Sequence, residues 1–500
     1  PNTETARAGL INRFGLDTEQ ANAILEMQLR RLTGLEQDKI RAEHAELLKK
    51  IAEWSQVLIS IILEINKKIK LLFQSYLKLS PRGVILSNII ERWCIMVRRQ
   101  YYLDKIKPFL GKGIVKAITG LRRVGKSVFV RQLIELLGEN GVQQSNIIYI
   151  DKESLEFDFI RDYKDLNNYV EEKSQNITGK IHVFVDEIQD IDQWERVVAS
   201  WSGKPERYDV VITGSNSTMF SGELSTKLTG RYVEFPVFPL SLAEFQYFYP
   251  EYEEQDEMFK KYLRYGGMPG LRMLDTLADD TVFPFLSSLH DSIVLKDIIR
   301  RKGFRNAALF DSICEFAYSN IGNPITANSI ASYLKSQRIN ANVQSVINYM
   351  SALEDAQLFS KVARYDIKGK KILDINSKYY AADLGLRHVK CGFRAGDISQ
   401  MIENLVYVEL CRKFDKVYVG DVSSYEVDFV AENASETFYF QVTNSCNDPK
   451  TFEREVRSLL AINDNYPKFI ISLEKVYSDD CEGIKIISLF DFLLGKHLTI

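Results

Sequence analysis

The stretch G-L-R-R-V-G-K-S at residues 120–127 constrains the fold of this 500-residue chain more than any other feature. It follows GIVKAIT at residues 113–119, a run rich in β-branched residues that is typical of a buried parallel strand. Apolar residues at helical spacing follow it, between positions 128 and 137. A strand, a glycine-rich loop and a helix in this order predict a parallel α/β sheet with a phosphate site at its edge, because glycines let backbone N–H groups close around a phosphate.

Two side chains of this loop have the chemistry to bind a magnesium-bound triphosphate. We expect Lys126 to reach the β- and γ-phosphate oxygens and the Ser127 hydroxyl to ligate Mg²⁺. For Arg122 and Arg123 two interpretations stay open: solvated side chains, or cations that contact phosphate or a neighbouring subunit. The predicted nucleotide-binding residues are Gly120, Arg122, Arg123, Val124, Gly125, Lys126, Ser127 and Val128.

A second carboxylate site follows at residues 181–187, where the apolar strand IHVFV runs into Asp186 and Glu187. Asp186 is predicted to hold Mg²⁺ together with Ser127, and Glu187 to polarise the attacking water. His182 lies within the strand and fits a packed core residue better than a ligand. An Asp-Glu pair after a strand is common by itself, but together with a phosphate loop it is a specific indication of a nucleotide site.

A third strand, DVVIT at residues 209–213, ends in Gly-Ser-Asn-Ser. Asn216 is the candidate for orienting the hydrolytic water, and the alternative is a plain Gly-Ser-Asn turn. Farther on, Arg231 fits an arginine finger, a sensor arginine or a structural residue, and the sequence does not separate these roles. The predicted catalytic residues are Glu187, Asn216 and Arg231.

Composition limits the classes of protein that this chain can belong to. A formal net charge of −3 gives no global electrostatic case for nucleic acid. The six cysteines form no C-x-x-C pair, which suits a reducing cytoplasm. The longest apolar run, at residues 57–65, is far shorter than the roughly 20 residues that span a bilayer. We therefore expect a cytoplasmic protein of several domains without a membrane segment.

From residue 96 to its end, the chain resembles the prokaryotic AAA-type ATP-binding proteins, which join a P-loop domain to a C-terminal domain of unknown function with a nuclease-like fold. The resemblance implies a P-loop NTPase sheet, ATP and Mg²⁺ as cofactors, and ATP hydrolysis. Many such ATPases complete their site with a neighbour's arginine, so a homo-oligomer is an open alternative. The motifs that carry it are, in order, GLRRVGKS, VFVDEIQ, ITGSNS, GRYVEFPVFPLSLAEF, YGGMPG, ENLVYVEL and EVDFV.

The first sixty residues have a different resemblance. Composition alone favours an amphipathic helical hairpin, but the string ARAGLINRFGLDTEQANAILEMQLRRL resembles a segment of bacterial DNA gyrase, from its DNA-cleaving chain GyrA, or of the topoisomerase IV counterpart. This supports a second hypothesis, a topoisomerase-related DNA-binding or scaffold protein, although nothing here matches that family's cleavage domain and tyrosine. Because Met96 reads like a natural start, we hypothesise a chimera of two proteins. Mass spectrometry of the native product would test it.

The pattern of residues 324–380 is typical of a winged helix, with two helices up to residue 358 and a β-wing after them. The exposed face of the second helix carries no Lys or Arg, which argues against tight groove binding and favours a protein partner over DNA. The wing has a modest basic tip at Lys368, Lys370 and Lys371. The predicted buried stripe of the second helix is Val343, Val346, Ile347, Met350 and Leu353.

The last segment resembles the PD-(D/E)xK nuclease fold. Glu403 and Asp428 fit its first two acidic positions, but Gln441 and Thr443 stand where an acid and a lysine are expected. Because such a centre needs carboxylates for a divalent ion and a cation for the phosphate, we predict an inactive domain. Whether Glu453 or Glu455 substitutes is left open.

These interpretations together predict an α/β fold in five segments. A P-loop NTPase sheet is followed by a winged helix and a small nuclease-like domain, behind a helical N-terminal fragment. The segments are a gyrase-like helical fragment (1–60), a linker (61–95), an AAA-type ATPase domain (96–265), a helical lid with a winged helix (266–385) and a degenerate nuclease-like domain (386–500).

Overall fold

The computed structural model divides the chain into two compact units, Pro1–Ile95 and Met96–Ile500. Of the predicted helical fragment 1–60, eight positions are described and all are helical, while the predicted linker 61–95 lies outside the described residues. Among the residues described, we find no helix whose length and apolar content would let it span a membrane. The structure describes residues 7, 9, 11, 12, 18–20, 22, 97–216, 228, 230–300, 304, 306–422, 425–434, 436–446, 449–474 and 480–496.

The first part of the second unit is built around a parallel sheet. The strands and the helix that the sequence predicted around the phosphate loop are all present. Its elements are α1 (Gln100–Ile106), β1 (Val115–Thr119), α2 (Lys126–Glu139), β2 (Ile147–Asp151), α3 (Tyr163–Ser174), β3 (Ile181–Asp186), α4 (Trp194–Ser202), β4 (Tyr208–Gly214), β5 (Tyr232–Pro236), α5 (Leu242–Phe248) and α6 (Gln255–Tyr265).

Every pairing in this sheet is parallel, and the strand order is β2-β3-β4-β1-β5. All residues of β1, β3 and β4 are buried, which explains why these strands read as near-continuous apolar runs. Thr119 is in register with Gly214, and Asp151 with Asp186, so the strands end along one carboxyl edge. This arrangement confirms the predicted P-loop NTPase type of sheet.

One buried polar cluster lies in the same sheet. Nδ1 of His182 is 2.8 Å from Oδ2 of Asp209. The same oxygen accepts from the Gly111 N–H, and Oδ1 of Asp209 accepts from the Lys116 ammonium group. Burial opposes ionisation of Asp209, but His182 and Lys116 lower the pKa of its carboxyl overall. His182 is therefore a paired core residue.

The remainder of the second unit combines helices with a second sheet. Its elements are α7 (Asp279–Ile293), a π-helix (Val294–Arg300), α8 (Ala307–Ser319), α9 (Ala327–Ser336), α10 (Val343–Asp355), β6 (Phe359–Asp366), β7 (Lys371–Ala381), α11 (Leu384–Cys391), α12 (Ile398–Lys413), β8 (Lys416–Val422), β9 (Tyr425–Glu432), β10 (Thr437–Thr443), α13 (Pro449–Leu460), β11 (Lys468–Ser472), β12 (Asp480–Cys481), β13 (Ile484–Ser488) and α14 (Leu489–Leu493).

The hairpin predicted as a β-wing is part of this second sheet. β6 and β7 pair antiparallel, and β6 also pairs in parallel with β8. The sheet therefore has eight strands in the order β12-β13-β11-β10-β9-β8-β6-β7. Hydrogen bonds between β6 and β8 cross the predicted boundary between residues 385 and 386, and the division of the chain at this point stays a prediction. The sequence of a hairpin does not reveal which distant strand will pair with its edge.

The buried face of α10 differs in part from the predicted stripe. Val346, Met350 and Leu353 are buried as expected, but Val343 and Ile347 are exposed. The Tyr349 side chain is buried instead, and its ring packs against Phe304 and Phe310. The stripe is thus rotated toward an aromatic residue that sequence periodicity did not single out, and two apolar side chains face solvent.

Candidate functional site

The phosphate loop runs from the end of β1 to the start of α2, at the carboxyl edge of the first sheet. Gly120 has φ +150°, and a Cβ atom there would stand 2.3 Å from the carbonyl oxygen of Val237, so the turn requires glycine. Gly125 has φ +95° and is the N-cap of α2. The first backbone N–H groups of a helix have no partner within the helix, which makes this N-terminus suited to phosphate oxygens.

Lys126 is the first residue of α2, and its ammonium group lies inside the loop. Nζ donates hydrogen bonds to the carbonyl oxygens of Gly120 at 3.0 Å and Leu121 at 3.3 Å. Nζ also lies 3.5 Å from Oε1 of Glu187. The ammonium group is therefore fixed between the loop backbone and the second carboxylate site.

Asp186 ends β3 directly beside the loop. Its carboxylate accepts hydrogen bonds from the Thr213 hydroxyl and, at 3.4 Å, from the Tyr149 hydroxyl, and the Ser127 side chain interacts with it. Burial raises the pKa of Asp186, and the hydrogen bonds from Ser127 and Thr213 oppose that rise. The two residues predicted to share a metal ion thus lie beside each other.

Glu187 follows in the left-handed region, with φ +52°, which turns its side chain toward the loop. Its backbone N–H donates to Oγ1 of Thr213 at 2.9 Å, and its Oε2 accepts from the Ser215 hydroxyl at 3.1 Å. Burial acts to raise the pKa of Glu187, but the Lys126 charge and hydrogen bonds from Gln189 and Ser215 outweigh it and lower the pKa. The carboxylate is therefore ionised at neutral pH.

The residues at this edge fit a magnesium-bound nucleotide. Ser127 and Asp186 supply one hydroxyl and one carboxylate oxygen, which suits Mg²⁺ because this ion usually takes one or two protein oxygens together with phosphates and water. Oε1 of Gln189, whose Nε2 donates to Glu187, is buried and has no hydrogen-bond partner among the described residues. Within the described residues, no group of three or more His, Cys, Asp or Glu is arranged to hold a metal ion by itself.

The two loop arginines have different environments. Arg122 is buried and forms ion pairs with Glu153 and, at 3.2 Å, with Asp297 of the π-helix. The interpretation of Arg122 as a solvated side chain is therefore wrong, because it spans from the loop to two carboxylates. Arg123 is exposed, with φ +69°, while Val124 is fully buried. Val128 is half-buried on the first turn of α2.

The two remaining catalytic candidates lie at opposite edges of the sheet. Asn216 follows β4 at the carboxyl edge, on the same side as the phosphate loop. Arg231 precedes β5, and its carbonyl oxygen accepts from the Val115 N–H at the amino end of β1. About 15 Å of strand separates that end from the loop, so Arg231 does not join the site within this chain. Its place before a strand, rather than after one, was the signal that the sequence interpretation overlooked.

Thr213 and Ser215 were missed by the sequence interpretation, which singled out Asn216 from the same turn. The Thr213 hydroxyl bridges Asp186 and the Glu187 N–H, and Ser215 bonds the Glu187 carboxylate. Their position at the end of a strand beside β3 was the available signal, because parallel strands that are neighbours end side by side. Which strands are neighbours, however, is a property of the sheet.

A second polar cavity, of about 660 Å³, lies in the nuclease-like segment. Glu403, Asp428, Gln441, Thr443 and Glu455 line it, so the positions that the sequence compared with a nuclease do converge. Glu453, the other proposed substitute, instead pairs with Arg457 on the surface of α13.

A buried lysine lies beside the first of these acidic positions. Nζ of Lys378, on β7, lies 3.0 Å from a carboxylate oxygen of Glu403 and 2.8 Å from one of Glu426. Burial raises the pKa of Asp428, nearby, and the charge of Glu403 adds to that rise. The ammonium group is thus paired with Glu403, the first acid of the nuclease pattern, and with Glu426, and we keep the inactive domain as a prediction.

Replacing Lys378 with Met is expected to lower the free energy of unfolding by about 3 to 5 kcal/mol, because two carboxylates lose their buried counter-charge. Glu403, Asp428 and Glu426 raise the pKa of Lys378 above its ordinary value despite its burial. A raised lysine pKa means that this stabilisation is fully present at neutral pH and is lost only in strongly alkaline solution. Denaturant unfolding at pH 7 measures the change, with exposed Lys371→Met as the matched control. Equal stability of the two variants would contradict the prediction.

Two family models match consecutive parts of the chain. The family model of an AAA domain matches residues 112–246, and that of a domain of unknown function, DUF8612, matches residues 256–397. An uncharacterized protein of Haemophilus influenzae is 35% identical over 402 residues, which is 80% of this chain and 99% of that protein.

Two further likenesses are more limited. The GyrA chain of DNA gyrase from Halalkalibacterium halodurans is 61% identical over 56 residues, or 11% of this chain and 7% of that protein, which confirms the predicted gyrase-like fragment. A solved Walker-type ATPase of Pyrococcus abyssi is 16% identical with a TM-score of 0.42, and the likeness covers 59% of this chain and 96% of that one.

Proposed function

The chain belongs to the same family as its Haemophilus influenzae relative and contains an AAA domain at residues 112–246, and we propose that it binds ATP with Mg²⁺ at residues 120–127 and hydrolyses it. One observation carries the proposal: the Ser127 side chain interacts with the Asp186 carboxylate while Oε1 of Glu187 lies 3.5 Å from Nζ of Lys126. A phosphate loop, a metal-binding pair and an ionised carboxylate then surround the place where a γ-phosphate would lie.

Each residue of the site has a distinct role in this proposal. The N–H groups at the start of α2 and the Lys126 ammonium group bind the phosphates. Ser127 and Asp186 hold Mg²⁺, which when bound neutralises charge on the phosphate oxygens. Glu187 accepts a proton from the attacking water, and Ser215 and Asn216 orient that water or the carboxylate. Arg231 has a role only if it reaches the nucleotide of a neighbouring subunit.

The C-terminal half supports coupling to a partner protein better than to DNA. Val343 and Ile347 expose apolar side chains on the face of α10 that would otherwise read a groove. The cations that phosphate contact requires are missing from that face. A gyrase-related role as the main activity has no comparable support, since that likeness spans only 11% of the chain.

Removing the metal tests the proposal most directly. The chain beginning at Met96 should release phosphate from ATP when Mg²⁺ is present, and the rate should fall to background with excess EDTA and return when Mg²⁺ is restored. The same assay with duplex DNA added should give an unchanged rate if the partner is a protein. Phosphate release that is insensitive to EDTA would sink the assignment of Ser127 and Asp186.

A further inference from the structure

A network of buried hydrogen bonds ties the phosphate loop to the C-terminal half of the chain. It begins at Arg99, which precedes α1 and is only 3% exposed. Nη1 of Arg99 donates to the carbonyl oxygen of Val124 in the loop at 3.1 Å, and its backbone N–H donates to Gln132 of α2 at 3.1 Å. A residue that precedes α1 thus fixes the backbone of the loop at Val124 and the helix that follows it.

The same guanidinium group is anchored by a carboxylate from α5. Nε and Nη2 of Arg99 donate to the two oxygens of Glu244, each at 2.8 Å, in a bidentate pair. Burial opposes ionisation of Glu244, but Arg99 and Arg412 lower the pKa of its carboxyl overall. A bidentate pair fixes direction as well as charge, so the position of Glu244 sets the position of Arg99.

Arg412, on α12, approaches Glu244 of this pair, although it lies more than 300 residues after Arg99 in the sequence. Its Nη1 donates to the Tyr102 hydroxyl at 2.8 Å and lies 3.9 Å from Glu244, and its Nη2 donates to the carbonyl oxygen of Pro239. The carbonyl oxygen of Arg412 in turn accepts from Lys105 at 2.8 Å. Both its side chain and its backbone are therefore bound to the ATPase part.

Tyr102 connects the network to α2, the helix that follows the phosphate loop. Its hydroxyl accepts from the Phe238 N–H at 3.1 Å, and its ring packs edge-on against Phe129 of α2, with centroids 6.0 Å apart. The Arg99 guanidinium lies over the same ring, 4.5 Å from its centroid. Arg412, Tyr102, Glu244 and Arg99 therefore form one continuous buried set.

We propose that Arg412 is a positioning residue of the ATP site, which acts through Glu244, Tyr102 and Arg99 to fix the Val124 carbonyl of the phosphate loop. Resting on the proposed ATP binding, it means that the nucleotide site is complete only when α12 of the C-terminal half is docked. The reason is geometric: a loop that must present several N–H groups to phosphates loses affinity when its backbone is free to rotate.

The test is the dissociation constant of a fluorescent ATP analogue with Mg²⁺, measured on the full chain and on variants of equal folded content. Arg412→Met should raise this constant about tenfold, the size of one charge-assisted hydrogen bond, and Tyr102→Phe about threefold. The matched control is Lys413→Met, the next residue of α12, whose ammonium group pairs with Glu409 at 3.5 Å. It should leave the constant unchanged.

A double variant separates positioning from mere stability. If Arg412 acts through Arg99, then combining Arg99→Lys with Arg412→Met should weaken binding by less than the product of the two single effects. If Arg412 had only a structural role, Arg412→Met would lower the melting temperature but leave the dissociation constant of the folded molecules as in the wild type. That result would overturn the inference. Should Arg412→Met not fold, an unchanged constant in Tyr102→Phe overturns it equally. A wild-type chain that binds no nucleotide would reject the proposed function itself, and with it this inference.

Discussion

Replacing Lys126 with Ala is expected to weaken binding of MgATP by roughly 100-fold or more, because the phosphates lose charge-assisted hydrogen bonds from a buried ammonium group. The same change removes the donor that bonds the Gly120 and Leu121 carbonyl oxygens, so the loop loses an internal brace as well. It also leaves Glu187 without the cation 3.5 Å away. Binding and turnover should therefore fall together.

Isothermal titration with a non-hydrolysable ATP analogue and Mg²⁺ measures this loss. The control is Lys204→Ala, an exposed lysine in the turn after α4, which should bind the analogue like the wild type. Circular dichroism on both variants separates loss of the ligand site from loss of the fold. Wild-type affinity in a folded Lys126→Ala protein would refute the assignment of residues 120–127.

Replacing Glu187 with Gln is the second change with a large expected effect, and it should separate hydrolysis from binding. The amide keeps the size of the side chain and can still accept from Ser215, but it cannot take a proton from water. General-base catalysis contributes about 10²- to 10⁴-fold, so kcat should fall within that range. Binding of MgATP should be retained, because the phosphate contacts of Lys126 and the loop N–H groups are unchanged.

Single-turnover hydrolysis of radiolabelled ATP, together with filter binding of the same nucleotide, measures both quantities on one sample. Exposed Glu172→Gln, on the last turn of α3, is the matched control and should leave both unchanged. A Glu187→Gln protein that hydrolyses ATP at the wild-type rate would show that another group activates the water. Loss of binding along with hydrolysis would instead place Glu187 among the groups that hold the nucleotide.

Short sequence patterns predicted most residues of the candidate nucleotide site. The glycine spacing at residues 120–127, the apolar run before Asp186 and the strand before Asn216 each lie within a short window of sequence. Within such a window, backbone sterics and side-chain periodicity decide whether a strand, turn or helix forms. Because parallel strands end along one edge, the order of these motifs also implied that they meet.

Local patterns were not sufficient where a residue's role depends on a distant part of the chain. Arg231 follows the other motifs of the site in sequence, yet it lies at the amino end of its strand, opposite the loop. The hairpin at residues 359–381 looked like an independent wing, but the sheet edge that it joins comes from β8. Neither fact has a local signature, since strand neighbours are chosen by the packing of the whole sheet.

The sequence by itself determined the phosphate loop, the acidic residues after β3, the parallel type of the first sheet and the gyrase-like start, since each of these rests on a motif within a short stretch of the chain. Only the tertiary structure decided that Lys378 faces Glu403, that Arg122 is bound by Asp297 and that Arg412 lies beside Glu244. The physical reason is that buried charges select their partners by position in the folded core, where desolvation makes pairing obligatory whatever the separation along the chain.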